Sequence, residues 1–239
     1  MKINPIFISN TNTQNTENLK KTGNIPAFGK KLLEKTRVRK PWGETVRAKF
    51  VEYDPKNKKD RKLIYELNHK HWGRTAKYID NISYSFDRMT KGGAPEKPIK
   101  QQYFGLEDKY SHTLAIAQVQ SSDKILRLGD MFFPNAAKIV YIQTKPSEIF
   151  TSDKRQYEGL GEVLVSRIVK RAKEEGRDSV ILYSTNHNFW NNSGFFKIPE
   201  QAKKHRVDVM QLKSKDFDNY IKFVENKTNF ENPYLDIYA

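Results

Sequence analysis

A mixed α/β sheet with helices on its faces is the fold class that the sequence predicts, and three observations carry the prediction. Residues 45–53 alternate like a half-buried strand and lead directly into two amphipathic helical stretches. The apolar run Val180-Ile181-Leu182-Tyr183 has the continuous character of a strand buried on both faces, as in parallel pairing, and it follows a long helical pattern over 161–175. Short strands and helices then alternate to the end, with no internal repeat.

The chain has 239 residues, room for one domain with a real core plus extra segments. It contains no cysteine, which excludes a disulfide framework, thiolate metal sites and cysteine nucleophiles. Its 43 basic residues against 28 acidic ones give a formal charge of +15, pointing to a polyanionic or phosphorylated partner. The start, Met1 to Ile8, is broken by Pro5 and is too short for a signal core or a membrane span, so a cytoplasmic protein without membrane contact is expected.

Residues 1–43 hold nine of the basic residues and two acidic ones, and between Ser9 and Asn24 Leu19 is the one large apolar side chain. Residues 1–38 therefore read as a disordered basic arm, either a solvated tail or an RNA-binding one, and 39–239 as the folded domain. Val46, Ala48 and Phe50 face one way along the first strand, which Asp54-Pro55 ends. Leu63, Ile64 and Leu67 mark a helix over 58–72, and Ile79, Ile82, Phe86 and Met89 mark a second over 74–89, before a loop at Lys91-Gly92-Gly93-Ala94-Pro95. Strands are expected at 101–107, 112–120 and 137–144. Leu164, Val165, Ile168, Val169 and Ala172 form the apolar face of the helix that Gly176 stops. The strand around 180–183 precedes a short helix at 186–193, strands at 194–198 and 206–213, and a closing helix at 216–226. Trp42 and Trp72 read mainly as packing residues. His69 and His71 point away from each other on a helix, so no metal site is expected.

The chemistry-bearing segment is Gln156-Tyr157-Glu158-Gly159-Leu160-Gly161, between a strand and a helix. Amides there lack helical partners, and glycines let the main chain approach an anion closely, so phosphate binding and a plain glycine turn are both open readings. A dinucleotide fingerprint would need glycine where Leu164 stands, and a Walker Gly-Lys-Ser/Thr is absent.

These six residues match in full the Gln/Arg-x-x-Gly-x-Gly/Ala pattern by which GCN5-related N-acetyltransferases (GNAT) hold the coenzyme A pyrophosphate. The segment Asn186 to Phe195, with Phe189-Trp190 and Gly194-Phe195, resembles the second element of that superfamily, and the resemblance spans about 45–213 with a motif core at 137–198. It implies a GNAT-like acyl-CoA N-acyltransferase fold and acetyl-CoA as co-substrate, with no metal. A small-molecule or peptide primary amine would attack the thioester directly in a ternary complex. By the same resemblance, Ile142 and Thr144 lie beside the pantetheine arm, with the oxyanion near Ile142. The pyrophosphate sits on the amides of 157–161 (Tyr157, Glu158, Gly159, Leu160, Gly161), after Gln156. Lys154 or Arg155 supplies charge, Asn186 contacts the pantetheine, and Phe189 and Trp190 lie near the thioester.

The chain departs from the family pattern in three ways. Trp190 stands where a proton-donating tyrosine is usual, leaving Tyr183 or Tyr157 as the donor, or departure of an unprotonated thiolate. The strand 137–144 has no carboxylate, so Glu148, Asp153 or Asp130 would act as base through water, while His187 reads either as a surface helix cap or as a base or substrate contact. The connection from Pro146 to Gln156 is long. Glu158 and Glu162 would oppose a pyrophosphate unless both point outward. The alternatives are a GNAT-fold nucleic-acid or ribosome-associated module with little catalysis, RNA being held by the basic arm, or acetylation of aminoacyl-tRNA.

Overall fold

The computed structural model describes residues 30–72, 78–90, 99–128, 130–148, 155–184, 190–191, 194–198 and 208–229. Most of the basic arm, the 91–95 loop, Asp153, Lys154, Asn186, His187 and Phe189 lie outside the described residues, as does most of the expected helix at 186–193.

Among the described residues, ten strands and four α-helices follow in chain order: β1 Lys31–Arg39, β2 Thr45–Tyr53, α1 Lys58–Glu66, α2 Ile79–Thr90, β3 Lys100–Asp108, β4 Thr113–Ser121, β5 Ile125–Leu128, β6 Met131–Pro134, β7 Ala136–Thr144, α3 Leu160–Glu174, β8 Ser179–Ser184, β9 Phe196–Lys197, β10 Asp208–Lys213 and α4 Phe217–Asn229. Eight strands form one sheet in the order β1-β2-β3-β4-β7-β8-β10-β9, and β5 pairs with β6 separately. Within the eight-stranded sheet β7 and β8 run parallel, while the other neighbours are antiparallel. This is the mixed α/β architecture expected from the sequence.

The faces are divided by side-chain alternation. Val38, Phe50, Phe104, Ile139, Leu182 and Met210 join Leu164, Ile168 and Phe217 of α3 and α4 in one core. Val51, Tyr53, Tyr103 and Ile116 meet Ile64, Ile79, Ile82 and Phe86 of α1 and α2 on the other side. Asn57 caps α1, its side chain accepting from the amides of Lys59 (2.8 Å) and Asp60 (3.3 Å). Beyond α1 the helix widens into a π-helical turn over Leu67–Trp72, which buries both end residues, so the expected helix 58–72 is helical in two geometries.

β1 corrects the expectation that 31–38 belongs to a disordered arm. Thr36 and Val38 are buried, the strand pairs with β2 from Lys31↔Glu52 to Arg39↔Thr45, and Asp60 accepts the Lys30 amide at 3.1 Å. Few apolar side chains suffice here, because an edge strand has a partner on one side alone and covers its other face with charge. The β5–β6 hairpin is a second departure. It packs Leu126, Leu128 and Phe133 over Ala136, Ile181 and Val209, a strand pair too short to show as a period. Trp72 is buried as expected, but Trp42 is not. It is 56% exposed at the tip of the β1–β2 hairpin, with Lys40 Nζ over its ring.

Candidate active site

The site begins where two parallel strands part. β7 and β8 pair from Ala136↔Ser179 to Ile139↔Leu182 and no further, although β7 continues to Thr144 and β8 to Ser184. On its other side β7 stays paired with β4 as far as Ala115↔Thr144. The register there passes from Val119↔Ile139 to Gln118↔Tyr141, leaving Val140 as the extra residue of a β-bulge. A bulge bends and twists its strand, so β7 turns away from β8 at the residue after their last shared pair. The main chain of 141–144 thus faces a wedge and makes no ladder with β8. Ile142 and Thr144 are both half-buried along it; Ile142 packs toward the α3 side, and the Thr144 carbonyl accepts from Gln143 Nε2 at 2.7 Å.

The loop into α3 is held by contacts that the sequence did not signal. Glu148, with its side chain fully buried, accepts on one oxygen from the amides of Gln156 (2.6 Å) and Tyr157 (2.8 Å), and on the other from Ser147 Oγ (2.9 Å). The Glu158 amide donates to the Arg39 carbonyl at 2.7 Å, tying the loop to the end of β1. Two amides of the expected 157–161 anion site, those of Tyr157 and Glu158, are therefore already bonded, as is the Gln156 amide before them, which corrects that span. The next four differ. Gly159, at φ 63°, is the N-cap of α3 and has no side chain to fill the role, and the amides of Gly159, Leu160, Gly161 and Glu162 have no acceptor among the described residues. Four unbonded amides at the positive end of a 15-residue helix are suited to an anion, at a point one to two residues later than the sequence implied.

The two carboxylates that would oppose an anion here are both engaged. Glu158 pairs with Arg155 at 2.9 Å, and Glu162 with Lys227 of α4 at 2.6 Å. Sequence separation hid the second pair. Arg155 therefore supplies charge to Glu158 before any ligand.

The expected catalytic residues are sorted by burial. Glu148 is the loop's clip, and its buried, hydrogen-bonded carboxylate is out of reach of an incoming amine, so it is corrected as a base. Trp190 is 6% exposed and edge-on to Phe195, with ring centroids 5.1 Å apart, in the α3–α4 core, which replaces the role near a thioester by packing. Tyr183 stands one residue beyond the last β7–β8 pair, and it is 40% exposed. Its neighbour Leu182 faces the α3 core, so the phenol projects to the opposite face, where Lys138 Nζ lies 5.8 Å from its ring centre. Burial, followed by the charge of Asp130, raises the Tyr183 phenol above its usual range, so it stays protonated at neutral pH. Desolvation lowers the Lys138 ammonium. Asp130 itself is exposed, 3.9 Å from Arg127. Tyr157, raised by burial and then by Asp108, packs against the α3–α4 core. His69 lies against the Tyr65 ring, and no group of acidic or histidine side chains suited to a metal ion occurs among the described residues. No described helix is long and apolar enough to cross a membrane.

No family model and no curated protein matches the chain. Among solved structures it is similar to the spermidine/spermine N-acetyltransferase SpeG from Vibrio cholerae, with 12% identity and a TM-score of 0.43 over 72% of this chain and 95% of that one. An acetyltransferase from Bacillus cereus matches at 13% identity and 0.36, over 62% and 98%. The AtaT toxin, in a complex with the C-terminus of its antitoxin AtaR and acetyl-CoA, matches at 11% and 0.42, over 59% and 80%. At these identities and scores the likenesses bear on no residue of the site.

Proposed function

We propose that this protein transfers an acetyl group from acetyl-CoA to a primary amine by direct attack in a ternary complex. The observation that carries the reading is the junction of two features: a strand pair that parts at the Val140 bulge, and a helix N-terminus whose four amides are open. A long thioester with an amide-bearing arm and a diphosphate fits this combination. Its amides can pair with the unladdered edge of 141–144, as an added strand would, and its diphosphate can accept from Gly159, Leu160, Gly161 and Glu162. The pairing of Glu162 with Lys227 removes the main electrostatic objection to an anion there.

Acetyl-CoA supplies the activated acyl carbon when bound. The chain's part is to align it and to hold the charge that develops. A main-chain N–H at the bulge is suited to the carbonyl oxygen as the amine adds, because a donor fixed by strand geometry needs no reorganisation. Tyr183, protonated at neutral pH and beside the wedge, is suited to give its proton to the departing thiolate. With Glu148 committed to the loop, the amine is best received neutral, its excess proton leaving to water once the C–N bond has formed.

Calorimetry with acetyl-CoA tests the reading. Native protein should bind with micromolar affinity. Gly161→Asp, which sets a carboxylate among the open amides, should lower that affinity at least a hundredfold while circular dichroism and the melting temperature remain near native. Absence of binding by native protein, or equal binding by both, overturns the proposal.

A further inference from the structure

A second feature lies along the β1–β2 edge of the sheet, beside the point where Arg39 holds the loop into α3, and is argued from side chains that the acetyl-transfer reading does not use. β1 and β2 enclose, with the turn after β3, a cleft of about 500 Å³ whose side-chain lining is dominated by Lys35, Arg37, Arg47, Lys49 and Lys109. Register sets Lys35 directly opposite Lys49 and Arg37 directly opposite Arg47. Their neighbours Thr36, Val38, Ala48 and Phe50 are buried on the α3 side, so all four cations project from the other face. Like charges directly opposite on adjacent strands are destabilising, and here two such pairs stand side by side.

Local acids do not relieve them. None of Lys35, Arg37 and Arg47 forms an ion pair among the described residues; Lys49 Nζ reaches Ser111 Oγ at 3.2 Å, and Lys109 lies 4.8 Å from the Tyr110 ring centre. The carboxylate opposite Lys49 across β2 and β3 is Glu107, which is fully buried and bonded to Lys30 Nζ (2.7 Å) and Tyr53 OH (3.0 Å). Charge placed on an edge strand can serve to block sheet-to-sheet association. That purpose does not account for Arg47 and Lys49, which belong to the interior strand β2, nor for Lys109 arriving from a turn.

We infer that this cradle binds the phosphodiester backbone of a nucleic acid. The cation pairs repeat every two residues, about 7 Å along the strands, close to the repeat of a sugar–phosphate chain. At the hairpin tip beyond Arg39, the exposed Trp42 ring offers a face on which a base can stack. A membrane surface fits less well, because among the lining residues Ala48 is the sole apolar one and nothing there would enter lipid.

Fluorescence anisotropy with a labelled 20-nucleotide poly(U) RNA tests this on the full chain. Engagement of all five cations by a single strand predicts an affinity loss of about 100-fold between 50 and 200 mM salt, and Arg37→Gln with Arg47→Gln should reduce that loss to about 20-fold, through a slope smaller by about 1.4. The doubly substituted chain should melt no lower than native, since a repulsive pair has gone. Lys215→Gln with Lys222→Gln removes the same charge from exposed positions outside the cradle and should retain the native slope. The inference is overturned if native protein binds neither this RNA nor a DNA duplex at 50 mM salt. It is equally overturned if the arginine variant keeps the native slope, if both double variants lose slope alike, or if phosphatidylserine vesicles bind in an arginine-dependent way while nucleic acid does not. Acetyl-CoA calorimetry on the arginine variant should match native protein, so the two proposals can fail separately.

Discussion

Replacing Glu148 separates a loop clip from a catalytic base. Its carboxylate accepts two backbone amides, at 2.6 and 2.8 Å, and one serine hydroxyl, from a fully buried position. A hydrogen bond to a charged group is worth about 1.5–3 kcal/mol. Gln156 is exposed and Tyr157 half-buried, so water can rebond part of what is lost. Glu148→Ala should therefore cost about 3 kcal/mol, which for a chain of this size is a fall in melting temperature of about 6–12 °C. Glu148→Gln keeps one acceptor oxygen and should cost about half as much. Because the clip fixes the approach to Gly159, both variants should weaken acetyl-CoA binding in the order of their destabilisation. The assay pairs urea denaturation with acetyl transfer to a polyamine, or whichever amine the native protein accepts. A clip predicts that the pH profile of kcat/KM keeps its native shape in Glu148→Gln. The reasoning is refuted if Glu148→Gln has native stability yet loses a hundredfold or more in rate together with the acidic limb of that profile, the signature of a missing general base.

Two further predictions concern stability. A Cβ at Gly105 would stand 2.5 Å from the Tyr53 ring, and that ring is pinned in the core by hydroxyl bonds to Glu107 and Thr113, so Gly105→Ala should lower unfolding free energy by about 1–3 kcal/mol in urea titration. Burial raises the phenols of Tyr220 and Tyr53 far above their normal range. In the unfolded chain each ionises near pH 10, so the stability they hold is complete below that pH and is lost as pH rises beyond it. Tyr220→Phe should make that loss shallower by up to about 1.4 kcal/mol per pH unit. It should do so with little effect at pH 7, because the hydroxyl's one bond, to the Glu162 carbonyl, is 3.4 Å long. A denaturation series from pH 7 to 11.5 measures both.

Local pattern alone locates β2, β3, β4, β7, β8, β10 and the three helices α2, α3 and α4 to within a few residues, the start of the 74–89 stretch lying outside the described residues, because each buries a face whose period is written in neighbouring side chains. The glycine pair at 159 and 161 was legible for the same reason: a residue without a side chain at a helix start is a local fact. β1 is not legible in the sequence, since an edge strand needs few apolar residues, and β5 and β6 are too short to show a period. Burial decided what could not be read in line. Trp190 holds a motif position that implies chemistry but packs against Phe195, while Glu148, eight residues before Gln156, holds three donors at once.

What the chain order determined by itself was a set of amphipathic units, a glycine-marked helix entry and a large positive charge. Tertiary structure decided where the parallel strands part, which amides remain open, and that four cations from two strands share one face. Each of those depends on register between segments far apart in sequence. Hydrogen-bond pairing and charge proximity act across space at a few ångströms, whereas periodicity reports on the faces of one segment at a time.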